Sequence, residues 1–285
     1  MAYSIDWANE WVASLRWIGI ATAISLVALV LVGFLVVRFT SWGRQFWRVN
    51  REFFIGTDTR VSAWLLIVVL TVFSLAGVRL SVIFSYFSND LYTAMQTVAE
   101  GISSGGAKGS ALVEAGKTAF WHSMTMFALL ATIHVVRTMV EIYIGSAFEM
   151  RWRTSLTNTV MNDWLKGKAY YRNRFATIPE VGKGLKFHPG VDNPDQRIES
   201  DIDNVTTATS GTSFRTLIFS GSGDSTSGVI PAIASVIAFT QILWNLSGPL
   251  TLWSVEIPRA MVWLVYMFVL IATVIAFWIG RPLIR

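Results

Sequence analysis

The stretch WIGIATAISLVALVLVGFLVV, residues 17–37, contains no charged side chain. Roughly 20 apolar residues wound as an α-helix cross about 30 Å of hydrocarbon, so this segment is long enough to span a bilayer. A cleaved export signal is the competing reading, but its apolar core would be roughly 7–15 residues behind a basic leader. Residues 1–16 instead carry Asp6 and Glu10 against Arg16 alone. The rest of the chain agrees: of 285 residues 53% are apolar and 14% charged. The mean hydropathy is +0.50, which is too apolar for an ordinary water-soluble domain. Thirteen Trp, seven Tyr and 18 Phe fit a chain with membrane boundaries, where aromatic rings collect.

Outward from that segment, four more stretches have the length and apolarity of a span: residues 62–84, 120–148, 229–246 and 260–280. The last ends at Arg281 and Pro282, where a cation reaches the headgroups and proline discourages further helix. Cysteine is absent, which excludes a disulfide framework, a thiolate metal site and a thiol nucleophile. The formal charge of +5 is dispersed between apolar segments and reads as a topology signal more than as a nucleic-acid footprint.

Basic residues are retained on the cytoplasmic side. Arg38, Arg44, Arg48, Arg51 and Arg60 separate the first two spans, whereas Lys108 and Lys117 alone lie in the Gly/Ser-rich connection between the second and third. Ten Lys and Arg fall between Arg151 and Arg215, and the loop after residue 246 has Arg259 alone. The alternation predicts a multi-pass protein of the plasma membrane, with its N-terminus outside and Arg285 in the cytoplasm. Residues 42–54 mix Trp42, Phe46, Trp47, Phe53 and Phe54 with Arg44, Arg48 and Arg51. That pattern fits a helix lying in the headgroup zone, with a plain juxtamembrane linker as the alternative.

Residues 111–118, ALVEAGKT, imitate a phosphate-binding loop. That loop needs a preceding strand in a soluble α/β domain, and here the segment leads straight into a membrane span. No other stretch supplies a nucleotide-binding domain, so the chain is expected to bind no cofactor and no metal and to do no catalysis itself. ATP and Mg would act only through a partner domain. Within the third span, His134, Arg137 and Glu141 share a helix face. Charges at that depth are costly unless they face protein or water. Three roles fit: an ion pair that fixes helix packing, the wall of a polar translocation path, or a proton relay through His134. In the long cytoplasmic loop, residues 149–215, Asn193 and Pro194 mark a turn and helix start, with Asp195 where its charge suits the helix dipole. A short helix there is either a docking element for a partner protein or a solvated surface helix.

The motif Asn193-Pro194-Asp195-Gln196-Arg197-Ile198, with Trp152-Arg153 and Ala169-Tyr170-Tyr171-Arg172 upstream, resembles the SbmA/BacA-like transmembrane domain of ABC transporters. WGRQFW at 42–47, NDLYTA at 89–94, ILWNLSG at 242–248, IPRAM at 257–261 and IGRPLI at 279–284 are similar to the mycobacterial BacA-like branch, which takes up cobalamin and hydrophilic peptides. The resemblance implies an all-α, exporter-type ABC membrane domain in which two subunits, expected as a homodimer, enclose a cavity. It further implies that residues 1–41 are an additional N-terminal helix, 42–61 an interfacial elbow, and 62–285 a partial transmembrane domain. Asp192, Asn193, Pro194, Asp195, Gln196, Arg197 and Ile198 would then lie in or beside the region that couples to an ATP-binding domain. Two departures from the family pattern stand out: the chain stops at Arg285, where the family continues, and residues 175–191 are longer than the family's connection. The implied function is a permease for hydrophilic solutes such as peptides or cobalamin, by uptake. The alternatives are a proton-coupled carrier and a truncated, nonfunctional membrane fragment.

Overall fold

The computed structural model describes residues 6–57, 59–174, 178–179, 187–188, 193–206, 213–219, 228–252 and 255–281. The architecture is all-α, and among the described residues five helices are long and apolar enough to cross a membrane, with an amphipathic helix between the first two of them. In chain order these are α1 (Trp7–Phe39), α2 (Ser41–Ile55), α3 (Arg60–Ser104), α4 (Gly106–Leu165), a short 3-10 turn (Lys166–Lys168), α5 (Ala169–Arg174), α6 (Pro194–Thr206), α7 (Phe214–Ile218), α8 (Val229–Leu246) and α9 (Ala260–Gly280). Two minimal antiparallel pairs complete the described residues, β1 (Ile178–Pro179) with β2 (Phe187–His188) and β3 (Leu250–Leu252) with β4 (Val255–Ile257). Two compact units are present and divide within α8, between Ala232 and Ile233.

The first unit is built on the antiparallel pair α3 and α4. At 1.5 Å per residue, α3 runs about 67 Å and α4 about 90 Å, each far longer than a bilayer's hydrocarbon. The Gly/Ser-rich stretch 101–109, expected as a loop, is helical except at Gly105. Gly105 and Gly106 take φ of +61° and +66°, a left-handed backbone that glycine adopts without a Cβ penalty, so a single pivot reverses the chain. Residues 111–118 are likewise helical throughout, within α4, so the glycine and lysine there do not form a phosphate-wrapping loop. The connection expected from residue 149 begins as the last part of α4, which continues helical to Leu165.

Helix α2 is capped by Thr40, whose Oγ1 accepts a hydrogen bond from the Gly43 amide at 2.9 Å, satisfying one orphan donor of the first turn. Its apolar face places Phe53 in a core with Leu66, Ile67 and Leu70 of α3, Phe148, Trp152 and Leu156 of α4, and Ile202 of α6. A second core joins Trp7 of α1 to Leu80, Ile83 and Phe87 of α3 and Leu130 of α4. In the second unit, α8 and α9 are held by Thr240 and Tyr266, whose hydroxyls lie 2.7 Å apart. The Arg259 guanidinium also sits 4.1 Å over the Trp244 ring. Almost all of α9 is exposed and apolar, the surface expected of a helix whose surroundings are lipid or other membrane helices.

Candidate functional site

The intramembrane group is built by the spacing of α4. Arg137 and Glu141, one turn apart, are both buried at 5% exposure. Arg137 Nη1 donates to Glu141 Oε2 at 2.6 Å and to the Phe73 carbonyl of α3 at 2.8 Å. Its Nη2 reaches Thr138 Oγ1 at 3.1 Å, and Ser74 Oγ donates to Glu141 Oε1 at 3.3 Å. The pair is therefore inserted between α3 and α4, with both charges compensated by hydrogen bonds, as a buried ion pair requires. His134 lies one turn toward the Gly106 end. Its ring stands edge-on to Phe84 at 6.0 Å, and its Nδ1 is buried with no hydrogen-bond partner among the described residues.

A second group is built by α4 beyond the apolar span. Trp152 is fully buried and donates from Nε1 to Asn50 Oδ1 at 2.8 Å, which ties α2 to α4. One residue on, Arg153 bonds Asp203 of α6 at 2.8 Å and lies 4.0 Å from Glu199, while Ile202 enters the core beside it. These contacts fix α6 along α4 and turn Asp195, Gln196 and Arg197 outward, with Pro194 and Ile198 half-buried. Asn193 has φ of +46°, a conformation that asparagine tolerates better than most residues, and its carbonyl accepts the Arg197 amide at 3.2 Å. Asp192 lies outside the described residues, as do most of residues 175–191 and the terminal Arg285. Between α2, α4 and α6 is a cavity of about 390 Å³ that includes Trp42, Val49, Leu156, Ile198 and Asp201. Past Leu165 the chain bends at Gly167, φ +61°, and Tyr170, Tyr171 and Arg172 are exposed on α5.

Several polar contacts were not legible from spacing. Glu10 of α1 pairs with Arg79 of α3, whose Nε also donates to Ser14 Oγ at 3.0 Å. The Arg79 guanidinium lies 5.8 Å from the Trp17 ring, and Trp7 Nε1 reaches Asp90 at 3.2 Å. Arg215 of α7 donates from Nε to Glu149 at 2.7 Å, with Ser213 capping that short helix. Its guanidinium lies over Gly145, where a Cβ would come within 2.8 Å of Nη1. The only sequence signal for the α1 pair was an acid and a base near the same predicted ends of two spans.

Residues 52–285 match the model of the family described as ABC transporter transmembrane region 2. Two proteins of Haemophilus influenzae, each named an uncharacterized ABC transporter ATP-binding protein, are 31% and 32% identical over 98% and 99% of this chain. The inner membrane ABC transporter ATP-binding protein YddA of Escherichia coli is 26% identical over 81% of the chain and 35% of its own length. This chain spans 40% of the length of each Haemophilus relative. Five membrane-crossing helices, two of them extended far past the hydrocarbon, and a match over most of the sequence lead to one assignment: the chain belongs to the ABC transporter transmembrane region 2 family.

Proposed function

We propose that this chain is the permease part of an SbmA/BacA-like ABC transporter that takes up hydrophilic solutes, peptides or a cobalamin-like molecule, across the plasma membrane. Two copies enclose the path, and ATP hydrolysis is supplied by an ATP-binding domain, as the names of the relatives imply for those proteins. The observation that carries this reading is α6. It is clamped to the long α4 by Arg153 and Asp203 and holds Asp195, Gln196 and Arg197 free on its outer face. A helix fixed on one side and polar on the other, at the end of a rigid 60-residue lever, transmits displacement from a docked domain to the membrane. Tyr170, Tyr171 and Arg172 of α5 are exposed as well. In this reading the N-terminus is outside and the end of α9 cytoplasmic, and 192–198 is the coupling region. Arg137 and Glu141 hold α3 and α4 in place rather than touch solute.

Uptake of labelled cobalamin and of a labelled hydrophilic peptide into cells deficient in both, expressing this chain with the ATP-binding domain of its own transporter, tests the proposal. Uptake that is abolished when that domain's phosphate-loop lysine is replaced supports it. Uptake that persists after that replacement and collapses with the proton gradient favours the proton-coupled alternative. The buried Nδ1 of His134, with no hydrogen-bond partner among the described residues, is the observation that favours that alternative.

A further inference from the structure

The exposed faces of α3 and α4 change character along their length. From residue 61 to residue 80 the exposed side chains of α3 are Val61, Trp64, Leu65 and Val68, all apolar. Beyond residue 80 they include Ser85, Asn89, Tyr92, Thr93, Gln96 and Glu100. On α4 the exposed side chains from residue 135 to 143 are Val135, Val136, Met139, Val140, Ile142 and Tyr143, again all apolar. Toward the Gly106 end, Thr132 and Thr125 alternate with the apolar Leu129, Ala128, Phe127 and Trp121, and beyond these the exposed face turns polar at Thr118, Lys117 and Glu114.

The two changes occur at one level. Leu80 and Leu130 share a buried cluster, Phe73 meets Arg137 below them, and Gly116 abuts the backbone of Ala94 and Val98 above. A third helix marks the same level: Arg79 pairs with Glu10 and lies against Trp17, and Arg16, next along α1, is exposed. A tryptophan and charged residues gathered at one height are what a membrane boundary collects. Measured inward from there, residues 61–80 rise about 30 Å, the thickness of the hydrocarbon. Arg137 and Glu141 then lie near mid-depth, where enclosure by α3 is required.

We infer that residues 81–132 form a two-helix arm that stands about 35 Å outside the bilayer on the side away from α6, rather than being part of the second and third spans. The arm presents rows of hydroxyl, amide and carboxylate groups to water. Met95, Ile102 and Trp121 gather round a shallow cavity of about 360 Å³ near its tip. Placing it in the outer compartment rests on the orientation proposed above; its standing clear of the hydrocarbon does not.

The chain has no cysteine, so single-cysteine variants report their own surroundings. Gln96→Cys, Thr118→Cys, Val68→Cys and Val136→Cys, each in the full chain, are treated in intact cells and in inverted vesicles with a polyethylene glycol maleimide too large to enter a transport cavity. The expected result is a complete gel shift of the Gln96 and Thr118 variants in intact cells, with the Val68 and Val136 variants unmodified on both sides. A shift of the first two only in inverted vesicles would reverse the orientation and remove the arm from the outer compartment. Protection of both from either side would overturn the arm itself. The two positions lie on different helices, so failure of one variant to accumulate leaves the other decisive.

Discussion

Trp152 on α4 and Asn50 on α2 are joined by a 2.8 Å hydrogen bond inside an apolar cluster, 102 residues apart in sequence. A buried indole N–H without an acceptor is costly, so this bond fixes where α2 lies as much as how tightly. Asn50→Ala leaves Trp152 Nε1 unsatisfied and is expected to cost about 1–3 kcal/mol. The check is a lower apparent unfolding temperature of the detergent-solubilised protein, followed by tryptophan fluorescence.

Removing one member of the Arg137 and Glu141 pair strands the other in a low-dielectric interior. Arg137→Leu alone is expected to destabilise by about 3–5 kcal/mol, and Arg137→Leu with Glu141→Leu to recover most of that loss. A double-mutant cycle of unfolding temperatures reads the coupling. Additive losses would mean that the two side chains do not depend on each other in the fold.

The contact of α1 with α3 concentrates on Arg79, which bonds both Glu10 and Ser14. Glu10→Ala is expected to cost about 1.5–3 kcal/mol, the range for hydrogen bonds to charged groups. It should also speed trypsin cleavage after the exposed Arg16. Reversing the pair, Glu10→Arg with Arg79→Glu, should restore part of the resistance. Equal cleavage in all variants would show that α1 is held by its apolar residues alone.

Gly145 has no side chain because the Arg215 guanidinium, bound to Glu149, occupies that space. Gly145→Val forces it aside and is expected to lose about 1–3 kcal/mol, with Gly145→Ala losing less. The same thermal measurement ranks the two.

Asp195 and Arg197 are exposed on α6. Asp195→Ala with Arg197→Ala should leave stability within about 0.5 kcal/mol, the range for surface substitutions, while lowering nucleotide-driven uptake. Unchanged uptake at wild-type expression would remove 195–197 from the coupling surface.

The helical class and the five spans were legible because a bilayer demands long uncharged runs, and residues 17–37 and 260–280 supply them without interruption. The pairing of Arg137 with Glu141 was legible from four-residue spacing. The length of α3 and α4 was not: where a helix leaves the hydrocarbon its surface becomes polar, and hydropathy no longer separates it from a loop. The stretch 101–109 reads as a flexible connection for that reason, yet glycines there let two helices pack closely and turn at one residue.

The sequence by itself determined that this is a multi-pass helical membrane chain, since burial of apolar runs in lipid depends only on local composition. Which face of each helix is protein and which is lipid or water was decided by tertiary structure alone. Arg137 meets Phe73, Trp152 meets Asn50, Arg79 meets Glu10 and Arg215 meets Glu149 across separations of 64 to 102 residues. Those partners are selected by helix register and crossing, which no local pattern encodes. They place each of these polar side chains against a partner on another helix.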